Sequence, residues 1–374
     1  MKVLLTATVQ SHVAQFHRPL AAVLHRHGCE VHVAACDNLA EKNGLKLDFA
    51  DKVYDVPFAR SPRSLDNLKA YMQLRRILQS ETYDVIHCNT PMGGIVTRLA
   101  TKNVRKRGTK VFYTAHGFHF YRGAPRRNWL LFYPVERYFA RYTDKLITIT
   151  TEDANLARRH FSCPVEFIHG VGVDERRYHP ISSQDKILLK QSMGFNQKQR
   201  IILCVGELLP NKNQQMGILA MKQVITQVPD AVLLLAGNGK QKTVLEQLIA
   251  ELGLQQHIRL LGYCTNLEEY QRIADVAISC SRREGLPLNI VEAMLSETPV
   301  VATRNRGHNE LLCEGKHGIL INQDAPENMA EGILQILSNK QMRNDLVMAA
   351  ALFAKQYTFD NVEKELGKIY FPEE

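Results

Sequence analysis

Short apolar runs and longer amphipathic ones take turns along this chain, and the alternation occurs twice, on either side of a glycine-marked break. Residues 2–8, 30–35, 85–88, 110–114 and 146–149 read as short buried strands. Residues 16–28, 65–80, 93–107 and a segment from Thr151 read as helices, the first closing on Gly28 as a C-cap. The stretch Glu166-Phe-Ile-His-Gly-Val-Gly-Val-Asp174 interrupts the rhythm, and Pro180 with Ser182-Ser-Gln-Asp185 extends the interruption into a linker. In the second series, strands at 200–205, 231–236, 258–261, 276–280, 299–302 and 319–321 alternate with helices at 214–227, 240–252, 267–274, 325–338, 341–355 and 360–369. Strands that alternate with helices pair in parallel and are covered on both faces. The expected fold class is therefore α/β: two doubly wound parallel-sheet domains, residues 1–175 and 176–357, with segment 358–374 packing back on the first. Open parallel sheets bind ligands beyond the C-terminal ends of their strands. Two such edges facing each other form a cleft that can hold two substrates away from water.

Residues 279–293 read Ser-Cys-Ser-Arg-Arg-Glu-Gly-Leu-Pro-Leu-Asn-Ile-Val-Glu-Ala. This predicts a strand end, a tight turn at Gly285 and a helix starting near Pro287, where the missing N–H has no intrahelical partner to lose. Free backbone N–H groups and the positive helix end then converge on one spot, which suits phosphate or sugar oxygens. Glu284 enters that spot and Glu292 lies further along the helix. Carboxylates repel phosphate but accept hydrogen bonds from both hydroxyls of a vicinal diol, as in a ribose or hexose. The pattern points to a nucleotide-sugar.

The first 180 residues hold 27 Lys/Arg against 16 Asp/Glu, whereas the rest hold 20 against 22, giving the net +9 of the whole. Between Arg98 and Arg141 there are eleven basic residues and one acid, Glu136. Such a block suits an anionic partner, a membrane surface, a nucleic acid or a diphosphate. Within it Trp129, Leu130, Phe132 and Tyr133, bracketed by Arg126, Arg127, Arg137 and Arg141, fit a helix lying at a membrane interface. Eight cysteines stand singly with no C-x-x-C pair, which favours a reducing cytoplasm over a disulfide or zinc framework. No apolar run reaches membrane-spanning length, and the N-terminus enters a strand pattern without a cleavage site. Thr6-Ala-Thr-Val-Gln10 after the first strand is not a dinucleotide fingerprint, and there is no P-loop. There is no D-x-D either, so no usual carboxylate grip on a metal diphosphate; protein cations and helix ends must neutralise it.

With its surroundings, the Glu284–Glu292 spacing resembles the E-x7-E signature of GT-B retaining glycosyltransferases of family four. Those surroundings are Pro299-Val-Val-Ala-Thr303, Arg306-Gly-His-Asn-Glu310 and Gly206-Glu-Leu-Leu-Pro-Asn-Lys-Asn213. Ile86-His-Cys-Asn-Thr-Pro-Met-Gly-Gly94, Thr114-Ala-His-Gly-Phe-His-Phe120 and Asn128-Trp-Leu-Leu-Phe-Tyr-Pro-Val-Glu136 are similar to the bacterial exopolysaccharide and capsule enzymes of that family. The resemblance covers nearly the whole chain and implies two Rossmann-like domains, the N-terminal one for the acceptor and the C-terminal one for the nucleotide-sugar. It implies that Glu292 holds ribose hydroxyls, that Glu284 contacts the transferred sugar, and that backbone amides of Gly285, Leu286, Pro287 and Leu288 line sugar and phosphate, Pro287 having no N–H to give. It further implies that Lys212, beside Gly206, neutralises the diphosphate, that His116 stands near the sugar's primary hydroxyl, and that Tyr263 and Cys264 lie on the loop meeting the base. His87 and His119 are further candidates. The family's usual arginine is Glu207 here, with Arg282, Arg283 and Arg306 as replacement cations, and the N-terminal glycine-rich loop is absent.

The expected activity is retaining, metal-independent transfer of a sugar from a UDP-sugar, without cofactor, to a carbohydrate acceptor. That acceptor is expected to be lipid-diphosphate-linked and presented at the inner face of the cell membrane, where the protein sits peripherally in the cytoplasm through its basic block. No side chain stands out as a covalent nucleophile, so transfer on one face is expected, with the leaving diphosphate taking the acceptor proton. A sugar epimerase of the same fold, or a nucleic-acid-binding protein using the basic block, are the alternatives.

Overall fold

The computed structural model describes residues 1–41 and 44–372; Glu373 and Glu374, within the expected 358–374 segment, lie outside the described residues. The chain divides into two compact units, Met1–Gly172 with Phe359–Glu374, and Val173–Thr358.

In the first unit the described residues form a seven-stranded sheet. Its strands are β1 (Lys2–Val9), β2 (Glu30–Cys36), β3 (Lys52–Asp55), β4 (Val85–Asn89), β5 (Lys110–Ala115), β6 (Lys145–Thr148) and β7 (Val165–Phe167). They run in the order β3-β2-β1-β4-β5-β6-β7, every pair parallel. The order reverses between β1 and β4, which makes the end of these two strands the place where connections diverge and a ligand can enter. Apolar residues fill both faces; Leu4, Ile86, Leu74, Ala70 and Val96 form one layer. β3 and β7 escape a hydrophobic reading because one is largely exposed and the other has three half-buried residues.

The helix expected at 16–28 is two helices, Gln10–Phe16 and Arg18–Arg26, broken at His17. Pro19 lacks an N–H and its ring crowds the carbonyl four residues back, so the helix restarts rather than continuing through it. The expected 93–107 helix likewise splits into Pro91–Ala100 and Lys102–Arg105. The C-terminal helix Phe359–Tyr370 belongs to this unit. The backbone N–H and Nδ1 of His169 both donate to Glu365, at 2.8 and 2.6 Å, and Lys145 Nζ donates to the carbonyl of Ile369.

The second unit holds β8 (Arg200–Val205), β9 (Ala231–Ala236), β10 (Ile258–Gly262), β11 (Val276–Ser279), β12 (Val300–Thr303) and β13 (Ile319–Ile321). The order is β10-β9-β8-β11-β12-β13, again parallel throughout, with its reversal between β8 and β11. The supposed linker at Ser182 is the N-cap of a helix, Ser183–Ser192: its hydroxyl accepts from the Asp185 N–H and donates to the Asp185 carboxylate. Short polar residues favour loops and caps for the same reason, their ability to bond nearby backbone, so the cap was legible only as punctuation.

Candidate active site

In the second unit the loops that follow β8 and β11 lie at the sheet's switch point. β11 ends at Ser279 and the helix Leu288–Leu295 begins with Pro287 as its cap residue, as the proline spacing predicts. The Gly285 bend does not use a left-handed φ. The tight constraint falls on Gly307 instead, where a Cβ would stand 2.5 Å from the Gly285 carbonyl oxygen and 2.9 Å from Glu284 Cβ. The helix Arg306–Leu312 therefore presses directly on the glutamate-bearing loop.

That contact aims Glu284 at the loop after β8. Lys212 Nζ donates to Glu284 Oε1 at 2.6 Å, with the side chains 25% and 13% exposed. An ammonium has three donors, so two remain for another oxygen. The two loops are tied elsewhere as well. Arg282 N–H donates to the Asn211 carbonyl at 2.8 Å and Asn211 Nδ2 to the Arg283 carbonyl at 2.9 Å. Asn289 Nδ2 reaches the Val205 carbonyl at 3.1 Å, and buried Gln214 donates to the Glu207 carbonyl at 3.0 Å. Beyond them, the turn at Gly237 lies so close that a Cβ there would be 2.1 Å from the Gly206 carbonyl oxygen.

Glu292 is half-buried on the Leu288–Leu295 helix. Burial pushes its carboxyl up to about 7, against the pull of the Arg177 charge and of a hydrogen bond from Tyr178, with Glu268 adding a smaller push upward. Tyr178 and Arg177 were not legible as site residues; they follow the glycine break, where no periodicity marks them. His308 lies inside the Arg306–Glu310 motif, where nothing in the sequence marks it as a site residue. It is fully buried, and its Nε2 meets Ser279 Oγ at 2.9 Å while Nδ1 meets the Thr303 carbonyl, so it locks the ends of β11 and β12 together. Its imidazole is held neutral, down to about 4, chiefly by burial.

The remaining candidates of this unit are dispersed. Arg282 is half-exposed and paired with Asp324 at 2.6 Å, Arg283 is exposed, and Arg306 is half-buried at the first position of its helix. Tyr263 is 53% exposed and Cys264 half-buried on the loop after β10.

In the first unit, His116 follows β5 at the same edge as the β1/β4 switch point. Its Nε2 lies 3.2 Å from His12 Nε2 and 3.3 Å from Asn89 Oδ1. Next to Asn89, Thr90 takes φ 63°, rare for a residue with a Cβ, and is held there by the Thr8 N–H at 3.0 Å and Thr8 hydroxyl at 2.7 Å. His17 stands behind, buried, with its Nε2 lacking a hydrogen-bond partner. Burial lowers all of these imidazoles; His116 falls to about 4, while the charges of His116 and Arg60 add to the lowering of His12, and those of His12, His116 and His87 to that of His17. The sequence points to no metal ligand, yet one ring nitrogen from each of His12, His17 and His116 lies within 4.8 Å of the other two, a spacing that could hold an ion.

His87 corrects an expectation. It is buried, with Nδ1 against Tyr370 Oη and Nε2 against Thr114 Oγ1, both at 2.6 Å, so neither nitrogen is open to a ligand. His119 stacks on Phe132 at 4.7 Å and its carbonyl accepts from Asn128. The basic block is also less uniform than expected. Arg98 is interior: it pairs with buried Glu136 at 3.0 Å and lies 4.0 Å over the Tyr113 ring. Trp129 and Tyr133 of the helix Arg126–Ala140 pack on the core. The outward apolar residues of that helix are Leu130, Leu131, Phe132 and Val135, with Arg126, Arg127 and Arg137 also exposed. Among the described residues no helix is long and apolar enough to cross a membrane.

Residues 185–353 match the family described as Glycosyl transferases group 1, and residues 13–170 the one described as Glycosyl transferase 4-like domain. The chain is 37% identical over 372 residues, 99% of it and 96% of the relative, to EpsD of Bacillus subtilis (strain 168), assigned provisionally as a glycosyltransferase. It is 24% identical over 341 residues, 88% of it and 86% of the relative, to the Escherichia coli UDP-Gal:alpha-D-GlcNAc-diphosphoundecaprenol alpha-1,3-galactosyltransferase. Among solved structures, Anabaena Alr3699/HepE in complex with UDP and glucose superposes with a TM-score of 0.80 at 20% identity, over 99% of both chains. WaaG, a glycosyltransferase involved in lipopolysaccharide biosynthesis, superposes with a TM-score of 0.75 at 16% identity, over 99% of both chains.

Proposed function

The chain belongs to the glycosyltransferases of GT-B fold, and from that premise we propose that it moves a sugar from a UDP-sugar, with retained configuration and without a metal, to a lipid-diphosphate-linked carbohydrate acceptor in exopolysaccharide or capsule biosynthesis. The observation that carries the donor half of this reading is the Lys212–Glu284 pair, set by two loops at the switch point of a doubly wound sheet. In this reading Glu292 receives the ribose hydroxyls. Lys212 turns its two remaining donors, together with the amide N–H groups of Gly285, Leu286 and Leu288, to the diphosphate. Glu284 accepts from the transferred sugar. The bond from the anomeric carbon to the diphosphate oxygen breaks, the acceptor oxygen bonds to that carbon on the same face, and its proton passes to the departing diphosphate. Lys212 and the helix end stabilise the charge that develops there.

The specificity of the Escherichia coli relative, a UDP-sugar with a diphosphoundecaprenol-linked acceptor, supports both substrate classes, and the UDP bound by the Anabaena protein supports the donor. A peripheral membrane position rests on the exposed face Leu130, Leu131, Phe132 and Val135 with its flanking arginines. Each exposed cation near anionic lipid adds on the order of 1 kcal/mol. The test is to incubate the chain in EDTA with a panel of UDP-sugars, with and without undecaprenyl-diphosphate-linked saccharides. Acceptor-dependent UDP release and an α-linked product are expected from an α-linked donor. UDP release without acceptor, with an epimerised sugar, would replace this reading by the epimerase one. Failure to co-sediment with anionic vesicles would remove the membrane position.

A further inference from the structure

We propose that His12, His17 and His116 form a binding site for one first-row divalent metal ion, with zinc the best fit. The three come from separate pieces of chain. His12 lies on the helix that leaves β1, His17 at the break between the first two helices, and His116 after β5. One nitrogen from each ring lies within 4.8 Å of the other two. A point therefore exists no more than about 2.8 Å from each, and bonds of about 2.0–2.1 Å need only sub-ångström closure. The 3.2 Å between His12 Nε2 and His116 Nε2 already matches the roughly 3.3 Å edge of a tetrahedral site with those bonds.

The hydrogen bonding of the cluster is incomplete without an ion. His17 Nε2 is buried with no partner, a state that is costly because the desolvated atom gets no bond in exchange for water. His116 Nε2 carries at most one proton yet faces both His12 Nε2 and Asn89 Oδ1. An ion takes a lone pair from each ring and resolves both mismatches. Asn89 is oriented toward the site because its Nδ2 donates to the Thr6 carbonyl, so Oδ1 lies at the wall as a further oxygen. Three imidazoles and no carboxylate suit zinc, copper, nickel or iron rather than magnesium or calcium. Three protein ligands leave a fourth position for water. The site shares His116 with the sugar-facing role that the resemblance implies, but the ion takes no part in the transfer step proposed above.

The test uses the full chain without a polyhistidine tag, stripped with EDTA and dialysed. Titration with zinc chloride by calorimetry should show one ion per chain. Cobalt(II) in its place should give the visible bands of a four-coordinate nitrogen site. His17→Gln and His12→Asn should each weaken binding at least about tenfold, since even outer partners of ligands are worth that much. His12 is half-buried, so His12→Asn reads the site even if His17→Gln disturbs the core. Circular dichroism and a cooperative thermal transition confirm that each variant is folded. No stoichiometric binding, or binding equally tight in the wild type and in a folded His12→Asn protein, overturns the proposal. Because the measurement uses no sugar, its failure leaves the transferase reading standing, and the converse also holds.

Discussion

Replacing Glu292 by glutamine separates what its carboxylate does for the donor from what it does to the fold. With the carboxyl titrating at about 7, its ionised fraction rises from about one tenth at pH 6 to about nine tenths at pH 8. Ribose hydroxyls donate only to an acceptor, so the dissociation constant of a UDP-sugar should fall about tenfold from pH 6 to pH 8. A UDP-sugar is the right probe because its diphosphate is a diester and does not titrate in that window. Glu292→Gln should lose this slope and bind more weakly at pH 8 by about 1.5–3 kcal/mol, the range for a hydrogen bond to a charged group. The sign reverses for stability. A folded-state value raised above that of an unfolded glutamate means the folded chain holds the proton more tightly. The stability so gained is complete below about pH 4.5 and lost as pH rises through about 7. Glu292→Gln should therefore stabilise the ligand-free protein at pH 8, by about 1–3 kcal/mol after allowance for partial solvent access. Calorimetry across pH and urea unfolding at pH 8 read the two arms. A variant that keeps the wild-type slope, or is less stable than wild type at pH 8, refutes the assignment of the raised carboxyl to the donor site.

Lys212→Met should lower kcat by about 10²–10³, the loss typical of one preorganised charge donor, while Glu292→Gln acts mainly on donor affinity; steady-state kinetics of both variants distinguishes the two roles. Glu136→Gln leaves the Arg98 guanidinium buried without its carboxylate and should destabilise the first unit by about 3–5 kcal/mol in urea unfolding, whereas Arg98→Met with Glu136→Gln should recover much of that. In metal-free buffer His87 and His116, held down to about 3 and about 4 by burial, should together remove about 4 kcal/mol between pH 7.5 and pH 5, beside the losses through His12, His17 and His308 and against the smaller gain through Glu292. The unfolded chain takes up those protons first, near 6.5, so their contribution is whole above that pH and lost below it. Unfolding free energies that stay flat over this range would show that these imidazoles charge in place.

The architecture was legible because buried parallel strands are continuous apolar runs and their helices amphipathic. The helix Gln214–Gln227 coincides with its sequence reading for that reason. Legibility failed where a residue's role depends on a neighbour far along the chain. His12 looks like an ordinary helix position until the sheet brings it beside His116, 104 residues away. Arg98 counts as a surface cation until Glu136 and the Tyr113 ring are folded around it. β3 has alternation too weak to notice, and β7 is too short. At the candidate donor site the motif located Glu284, Glu292 and Lys212, but not that two of them pair or that Tyr178 hydrogen-bonds the third.

The two units share a topology and differ in what their switch points carry, and the difference follows from how each kind of group tolerates enclosure. In the second unit an ion pair and a half-buried carboxyl stand at the ends of β8 and β11. A diphosphate entering there exchanges solvent for an ammonium already held in place by Glu284, so little reorganisation is left to oppose binding. In the first unit the ends of β1, β4 and β5 carry imidazoles and an amide, hydrogen-bonded to one another. Neutral rings survive burial that would expel a lone charge, and they can donate to or accept from hydroxyls whose proton must move. Sheet order alone would permit either chemistry at either edge. The proposed donor site rests on residues 206–213 and 280–292, which offer an ammonium and carboxylates, and the proposed acceptor side on His12, Asn89 and His116, which offer neutral rings and an amide; this asymmetry is the physical reason behind that proposal.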